Sequence, residues 1–384
     1  WIFQITHDGV RLSAVETVAM PHQFGVVQWE ISNLPDKWVN LFVGKSLWLR
    51  ESENGRIDII QEYFRLTRSR TSEVQRSTVE LASVDDIFER KRAAVEEVLE
   101  ATISRVVTET GLASIGGFIL PPVDIRLTKP PKLLVTSPRD KIKRIDGILL
   151  SPQVTLAERI TIETSISRDT NLSALVTDIG GVATYPAFVF ENRSLRSTLH
   201  LAAHEWLHHY LAFRPLGRNY FRNSDMTTLN ETFANMAGRE IGDLAYILLG
   251  GQIESATGVV TEKGNDVGGF NFDHEMRTTR EETDRLLSEG QIEGAERYME
   301  KRRLLFWNNG YRIRKLNQAY FAFHGTYGES AASMSPIGHQ MQEFRQLSTD
   351  LVAFLNTMAN VSTYEQFLME LEELRSTNTI QSKK

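Results

Sequence analysis

Apolar residues at helical spacing dominate the first third of the chain. Between residues 84 and 107 they recur three or four positions apart with charged residues between them, which is typical of an amphipathic helix. Gly111 is the expected end of this helix. Shorter amphipathic segments at residues 36–50 and 56–70 predict two more helices. We therefore expect a helical N-terminal region over residues 1–113.

The pattern changes after Gly116. From there to Asn192 the chain is rich in β-branched residues, and Pro–Pro pairs at 121–122 and 130–131 indicate turns. Such a segment predicts a small mixed sheet. The expected strands cover residues 123–128, 132–137, 145–151, 158–166 and 183–192.

Helical spacing returns after Arg193 and continues to the end of the chain. One helix is predicted at residues 194–213, where Arg214-Pro215 ends it, and the next at 227–249. Further helices are expected at 274–290, 291–309, 311–325, 335–358 and 363–375. The pattern predicts an α+β fold, in which residues 114–253 combine the sheet with two helices and residues 254–384 form a helical C-terminal subdomain.

Composition narrows the classes of function. The 384 residues carry a net charge of -6, which argues against a nucleic-acid partner. The chain has 0 cysteines, which excludes disulfides, iron–sulfur clusters, thiol nucleophiles and cysteine-based zinc sites. No run of about 18 apolar residues occurs, so no membrane span is expected in this chain.

The cellular location is left open by the sequence. The chain opens at Trp1 rather than at Met. One expectation is a missing upstream signal or anchor, with an extracytoplasmic or membrane-tethered location. The other is a trimmed cytosolic protein.

Chemistry-bearing residues concentrate on the predicted helix at 194–213. His204-Glu205-Trp206-Leu207-His208 is an HExxH motif. Residues i and i+4 lie one turn apart on the same helix face, so both imidazoles can bind one metal ion, and neutral imidazole is a good zinc ligand. Glu205 lies beside them, where it can take a proton from a water molecule. The alternative is a histidine-rich helix whose polar groups are satisfied in the core.

A catalytic zinc ion needs a third protein ligand. The metzincin pattern would require Gly and His where this chain has Leu211 and Arg214, so that pattern fails. A second standard arrangement takes a glutamate from a following helix, and Glu231, at the start of the next predicted helix, fits it. A glutamate at that position is also explained by capping and by the helix dipole.

Two motifs together resemble a known family. His204-Glu205-x-x-His208 followed by the segment LNETFA at 229–234 resembles the gluzincin metallopeptidases, in particular the M1 aminopeptidase type, whose second zinc helix reads LNEGFA. The resemblance covers roughly residues 180–250. It implies a zincin-like catalytic core in which His204, His208 and Glu231 bind one Zn²⁺ and Glu205 is the general base. It also implies that a strand before the zinc helix, at residues 180–190, lines the substrate cleft.

The chain departs from the family at two informative positions. M1 exopeptidases have a glutamate in that strand which holds the substrate's free amine, whereas Gly181–Tyr185 contains no acid, so endo- versus exo-cleavage stays open. Thermolysin-like relatives have an Asp four residues after the third ligand, where this chain has Asn235. Asn235, Asp225 and Glu240 are the candidates to accept the second N–H of a zinc-bound histidine.

Gluzincins also use a Tyr or His donor from a later segment to stabilise the oxyanion. Tyr311 is favoured because it follows the turn Asn309-Gly310 between two predicted helices. The glycine-rich stretch at 250–272 is either a flap over the cleft or an ordinary surface loop. The alternative oxyanion donors are His274, Tyr298, Tyr320, His324 and Tyr327.

The resemblance implies a zinc metallopeptidase that hydrolyses peptide bonds in a peptide or protein substrate by metal-activated water. Two alternatives stay open. One is a non-catalytic zincin-fold binding or scaffold protein. The other is a hydrolase of a non-peptide amide, because the fold alone does not determine the substrate.

Overall fold

The computed structural model of the protein describes residues 13–33, 52–72, 78–112, 119–253 and 269–381. The helix predicted at 36–50 lies outside the described residues, as does most of the glycine-rich stretch at 250–272. The N-terminal part contains helices α1 (Ala14–Ala19), α2 (Glu53–Ser72) and α3 (Thr78–Glu109), and residues 26–33 are also helical. The expected helix at 56–70 is confirmed by α2.

The strands form two three-stranded sheets rather than one. The first has the order β1-β6-β5, with β1 parallel to β6 and β5 antiparallel to it; the second, β3-β2-β4, is antiparallel throughout. The prediction of a single mixed sheet is therefore wrong in this respect. The strands are β1 (Ile125–Leu127), β2 (Lys132–Pro138), β3 (Gly147–Leu150), β4 (Leu172–Asp178), β5 (Gly181–Val182) and β6 (Ala187–Val189).

Residues 158–166, predicted as a strand, belong instead to helix α4 (Leu156–Asp169). The β-branched residues of this segment favour a strand, but Thr155 and Glu158 form a capping box that starts a helix. Ile162 and Ile166 then lie one turn apart in the core, as helical geometry requires.

The sheet β3-β2-β4 is covered on both faces. Alternate residues of its strands, such as Leu134 and Val176, pack with α1 and α4. The intervening residues, such as Val135 and Leu175, pack with the helix α10 (Gln318–His324). The sheet is thus a central layer between helices.

The two helices that carry the predicted ligands are α5 (Leu195–Ala212) and α7 (Ser224–Leu248), joined through the short helix α6 (Pro215–Arg218). Both confirm the helices predicted at 194–213 and 227–249. Ser194 and Asn223 cap their N-termini through side-chain oxygens. The two helices lie in the largest hydrophobic core, together with α3, β1 and β6.

The C-terminal part is helical, as predicted, with two differences. Only α10 forms within the helix expected at 311–325, and the helix expected at 335–358 divides at residues 348–350, where Asp350 caps a new helix. The remaining helices are α8 (Phe272–Ser288), α9 (Ile292–Asn308), α11 (Ile337–Leu347), α12 (Leu351–Ala359) and α13 (Tyr364–Gln381).

The described residues thus form an α+β protein. The division into regions 1–113, 114–253 and 254–384 stays a prediction. Within the described ranges, no helix combines the length and the apolar character that crossing a membrane requires.

Candidate metal centre

Three side chains of α5 and α7 meet at one point. Nε2 of His204 and Nε2 of His208 lie 3.0 Å apart, and each lies 3.6 Å from Oε2 of Glu231. One ligand atom from each residue falls within 4.8 Å of the other two. Among the described residues, these are the three that form a group able to hold a metal ion.

The spacing of these atoms suits zinc. Tetrahedral coordination with bonds of about 2.0–2.1 Å places neighbouring donor atoms about 3.3 Å apart. The measured separations of 3.0 and 3.6 Å bracket that value. Two imidazoles and one carboxylate also match the donor set of catalytic zinc sites, which leave a fourth position for water or substrate.

A close crossing of the two helices brings Glu231 to the histidines. A Cβ added to Gly238 would lie 2.9 Å from the backbone nitrogen of His204, and one added to Gly242 would lie 2.7 Å from that of His200. Only glycine fits such a contact. On its opposite face, α5 is held by Trp206, which is 1% exposed and donates a hydrogen bond to the carbonyl of Pro121.

Burial and mutual charge set the protonation of the three ligand candidates. Burial alone would raise the pKa of Glu231, but His208, His204 and the hydroxyl of Tyr220 lower it to about 2. Burial lowers the pKa of His204 to about 3. Burial also acts to lower the pKa of His208, but the Glu231 carboxylate outweighs it, so this pKa is raised. An ionised glutamate therefore faces two imidazoles, one of which is readily protonated.

Glu205 lies on the same side of α5 and faces strand β5. A Cβ on Gly181 would come 2.4 Å from Oε1 of Glu205, so this glycine makes room for the carboxylate. Glu205 is 5% exposed, and burial raises its pKa to about 8, with His208 opposing the shift and Glu231 adding to it. A carboxyl group with a pKa near neutrality can both accept and release a proton.

The candidate acceptors for the histidines' second N–H lie elsewhere. Glu240 pairs with Arg345, Asp225 lies in the first turn of α7, and Asn235 lines the cavity without a hydrogen bond to either histidine. Nδ1 of His204 is buried and has no hydrogen-bond partner among the described residues. The nearby backbone carbonyl of Ala234 raises the pKa of this imidazole, but burial outweighs that effect.

The three residues open into a cavity of about 1610 Å³. One wall carries a hydrogen-bonded group that joins α5 to α7, in which Oδ1 of Asp243 lies 2.6 Å from Nε2 of His200 and 2.7 Å from Nε of Arg196. Arg239 lies 3.3 Å from Glu329 on the opposite loop. The cavity is therefore lined by charged groups as well as by apolar ones.

Of the residues predicted as oxyanion donors, some line the cavity and others do not. Tyr311 packs against Phe270 and Phe272 in an aromatic cluster, does not line the cavity, and is therefore not placed for the role that the sequence favoured. His324 and Tyr327 line the cavity. Three other candidates do not: the ring of Tyr320 packs at a tilt against that of His324, Tyr298 packs beside Leu286 and Leu287, and His274 is exposed in the first turn of α8.

Sequence reasoning missed Tyr220. Its hydroxyl donates a hydrogen bond to Oε1 of Glu231, and its ring lies 6.3 Å from that of His208. The available signal was its position in the connection between the two ligand-bearing helices, because that connection must pass close to the site.

No protein-family model matches the chain. Comparisons with curated proteins and with solved structures find no significant match. The resemblance to gluzincins therefore rests on the motif residues themselves.

Proposed function

We propose that the protein is a zinc-dependent peptidase with a gluzincin-type site on a zincin-like core. The observation that carries this proposal is the convergence of His204, His208 and Glu231, with Glu205 beside them at the same cavity. A purely structural zinc site is closed by four protein ligands, whereas this group offers three and faces open space.

The residues of the chain have distinct roles in the proposed reaction. A zinc ion bound here would polarise the scissile carbonyl and lower the pKa of water to about 7. Glu205 accepts the proton of the attacking water and transfers it to the leaving amine. Tyr327 is our candidate to donate a hydrogen bond to the oxyanion. It lies close enough to Glu231 and Glu205 for both to raise its pKa, after the larger effect of burial.

The form of the cavity favours an extended peptide over a small amide. Strand β5 ends the sheet order β1-β6-β5, and Gly181 and Val182 line the cavity. Among the described strands, β5 pairs with β6 alone, so one edge is available for strand addition by a substrate. The volume of about 1610 Å³ also exceeds what a small amide needs.

The test is the Glu205→Gln variant. We expect zinc content to stay at one ion per chain, because Gln removes the base and keeps the ligands. Hydrolysis of a peptide library should fall by about 10²–10⁴-fold. Metal content is measured by mass spectrometry and cleavage by sequencing the products.

Glu240→Gln is the matched control, because Glu240 lies on α7 and pairs with Arg345 away from the ligands. It should leave both readouts unchanged. A wild-type protein that binds zinc but cleaves no peptide would favour the binding or scaffold alternative. Full activity in Glu205→Gln would refute the assigned base.

A further inference from the structure

Four arginines line the cavity, and two of them have no carboxylate partner among the described residues. Arg196 is bound by Asp243 and Arg239 by Glu329. The guanidinium of Arg144 makes no hydrogen bond or ion pair with any residue in the described ranges, although the side chain is half-buried. Arg144 belongs to the connection between β2 and β3, far along the chain from the zinc helices.

The side chain of Arg144 is held over a glycine. A Cβ on Gly147 would lie 2.1 Å from one terminal nitrogen of Arg144 and 3.0 Å from Cζ. Gly147 is the first residue of β3 and pairs with Val135, so its backbone is fixed by the sheet. The guanidinium thus packs directly on the backbone of Gly147, and the side chain of any larger residue there would displace it.

The guanidinium lies on the side of the cavity that carries Tyr220 and Tyr327. Arg144, Tyr220, Tyr327 and Glu231 all line this one cavity, and the charge of Arg144 reaches both phenols. Tyr220 contacts Glu231 directly. Arg144 therefore faces the space next to the proposed reaction centre.

The nitrogen atoms of the Arg144 guanidinium are not buried, so they are accessible from the cavity that the side chain lines. Arginine carries five N–H donors in a planar fork. A carboxylate satisfies two of those donors at once in a bidentate pair. The cavity is therefore preorganised for an anionic group of that shape.

We propose that Arg144 binds a carboxylate of the substrate, so that the site selects peptides with an acidic side chain or a free C-terminus near the scissile bond. The proposal deepens the proposed function and rests on it for the identity of the ligand as a peptide. Arg193, the other unpaired arginine of the cavity, is exposed at the rim, where water screens its charge.

The experiment uses four peptides of one sequence, with Glu or Gln at one position and a free or amidated C-terminus. Their binding to zinc-loaded Glu205→Gln protein is measured by calorimetry, and their cleavage by wild-type protein as separate kcat and KM values. One carboxylate should improve binding and lower KM by about 10-fold or more, which is the usual strength of a charge-assisted hydrogen bond. The peptide pair that shows the gain identifies the source of the carboxylate.

Introduced into the Glu205→Gln protein, Arg144→Gln should remove this preference and Arg144→Lys should keep part of it, because lysine retains the charge but not the fork. Arg144→Glu should reverse it in favour of a Lys-containing peptide. Gly147→Ala should weaken the preference for the carboxylate by displacing the guanidinium.

Lys143→Gln is the matched control, because it removes an exposed charge outside the cavity. It should leave the carboxylate preference unchanged. Thermal unfolding of each variant checks that the fold is kept.

Failure of the inference and failure of the proposed function are distinguishable. Cleavage without a carboxylate preference, or a preference that survives Arg144→Gln and disappears in Arg193→Gln, overturns the role of Arg144 and leaves the peptidase intact. Absence of cleavage combined with an Arg144-dependent preference in binding refutes the peptidase and supports the carboxylate site.

Discussion

The hydroxyl of Tyr220 donates a hydrogen bond to Oε1 of Glu231, while Oε2 of the same carboxylate faces the two imidazoles. The two oxygens of Glu231 are therefore used differently, one to hold the side chain and one to face the metal position. Such a contact fixes the rotamer of a ligand and tunes its basicity. Tyr220 and Tyr327 both line the cavity, but only Tyr220 has this contact.

The two tyrosines should respond differently to loss of the hydroxyl. Tyr220→Phe should weaken zinc binding by about 10–100-fold, because Glu231 loses its fixed orientation. Tyr327→Phe should leave zinc binding unchanged and lower kcat by about 10²-fold or more, as expected for an oxyanion donor. Chelator competition and steady-state kinetics measure the two quantities. Equal effects of both variants on zinc binding would contradict the division of roles.

Glu231→Gln should abolish stable metal binding. The amide is a weak zinc ligand, and the site loses its negative charge, so zinc affinity should fall by more than about 100-fold. The measurement is the metal content after dialysis, with His339→Ala as control because His339 is exposed and does not line the cavity. One tightly held zinc ion in Glu231→Gln would exclude Glu231 as a ligand.

Gly238→Ala should separate α5 and α7. The added Cβ would lie 2.9 Å from the nitrogen and 3.0 Å from Cα of His204, and backbone cannot yield as a flexible side chain does. We expect a loss of about 1–3 kcal/mol in the free energy of unfolding of the metal-free protein, measured with urea. Zinc affinity should fall as well, because Glu231 moves away from the histidines.

Gly294→Ala is the comparison for that variant. The added Cβ would lie 3.4 Å from Cβ of Gln291, an ordinary contact near the start of α9. Alanine favours a helix over glycine by about 0.5–1 kcal/mol, so this variant should be as stable as wild type or slightly more so. Equal destabilisation by both variants would show that the close helix crossing is not the cause.

Zinc affinity should fall in acid with the uptake of a single proton. The pKa of His204 is about 3 and that of Glu231 about 2, so neither takes up a proton in weak acid. The pKa of His208 is raised because Glu231 outweighs burial, and a protonated imidazole cannot bind zinc. Affinity should fall about tenfold per pH unit below the pKa of His208. Chelator competition across weakly acidic and neutral pH measures this slope, and a slope of two protons would contradict it.

The ligand-bearing helices could be predicted because several local signals agree there. In α5 the cap Ser194, the helical spacing and the HExxH motif indicate the same structure, and in α7 the cap Asn223 and the helical spacing agree. In residues 156–169 the signals conflict, since β-branched side chains favour a strand and the capping box favours a helix. The tertiary contacts decided that case: Glu163 accepts a hydrogen bond from the backbone of Val176 and binds Arg314.

The remainder of the site could not be read from sequence spacing, because it is built by contacts between distant segments. Arg144, in the connection between β2 and β3, and Tyr327, shortly after α10, line one cavity although they are far apart in the chain. Tyr311 was expected at a turn beside the cleft, but its ring packs against those of Phe270 and Phe272. Local turn chemistry predicts that a residue lies in a loop and does not predict what packs on it.

All three ligand candidates belong to one helical hairpin, residues 195–248, whereas a large part of the cavity wall comes from other parts of the chain. Substitutions, insertions or deletions in those walls can alter which molecules enter without disturbing the coordinating atoms. In evolution or in engineering, such a layout lets new specificities arise around an unchanged metal-binding group, and the β2–β3 connection, which carries Arg144, is one place where such changes can be made.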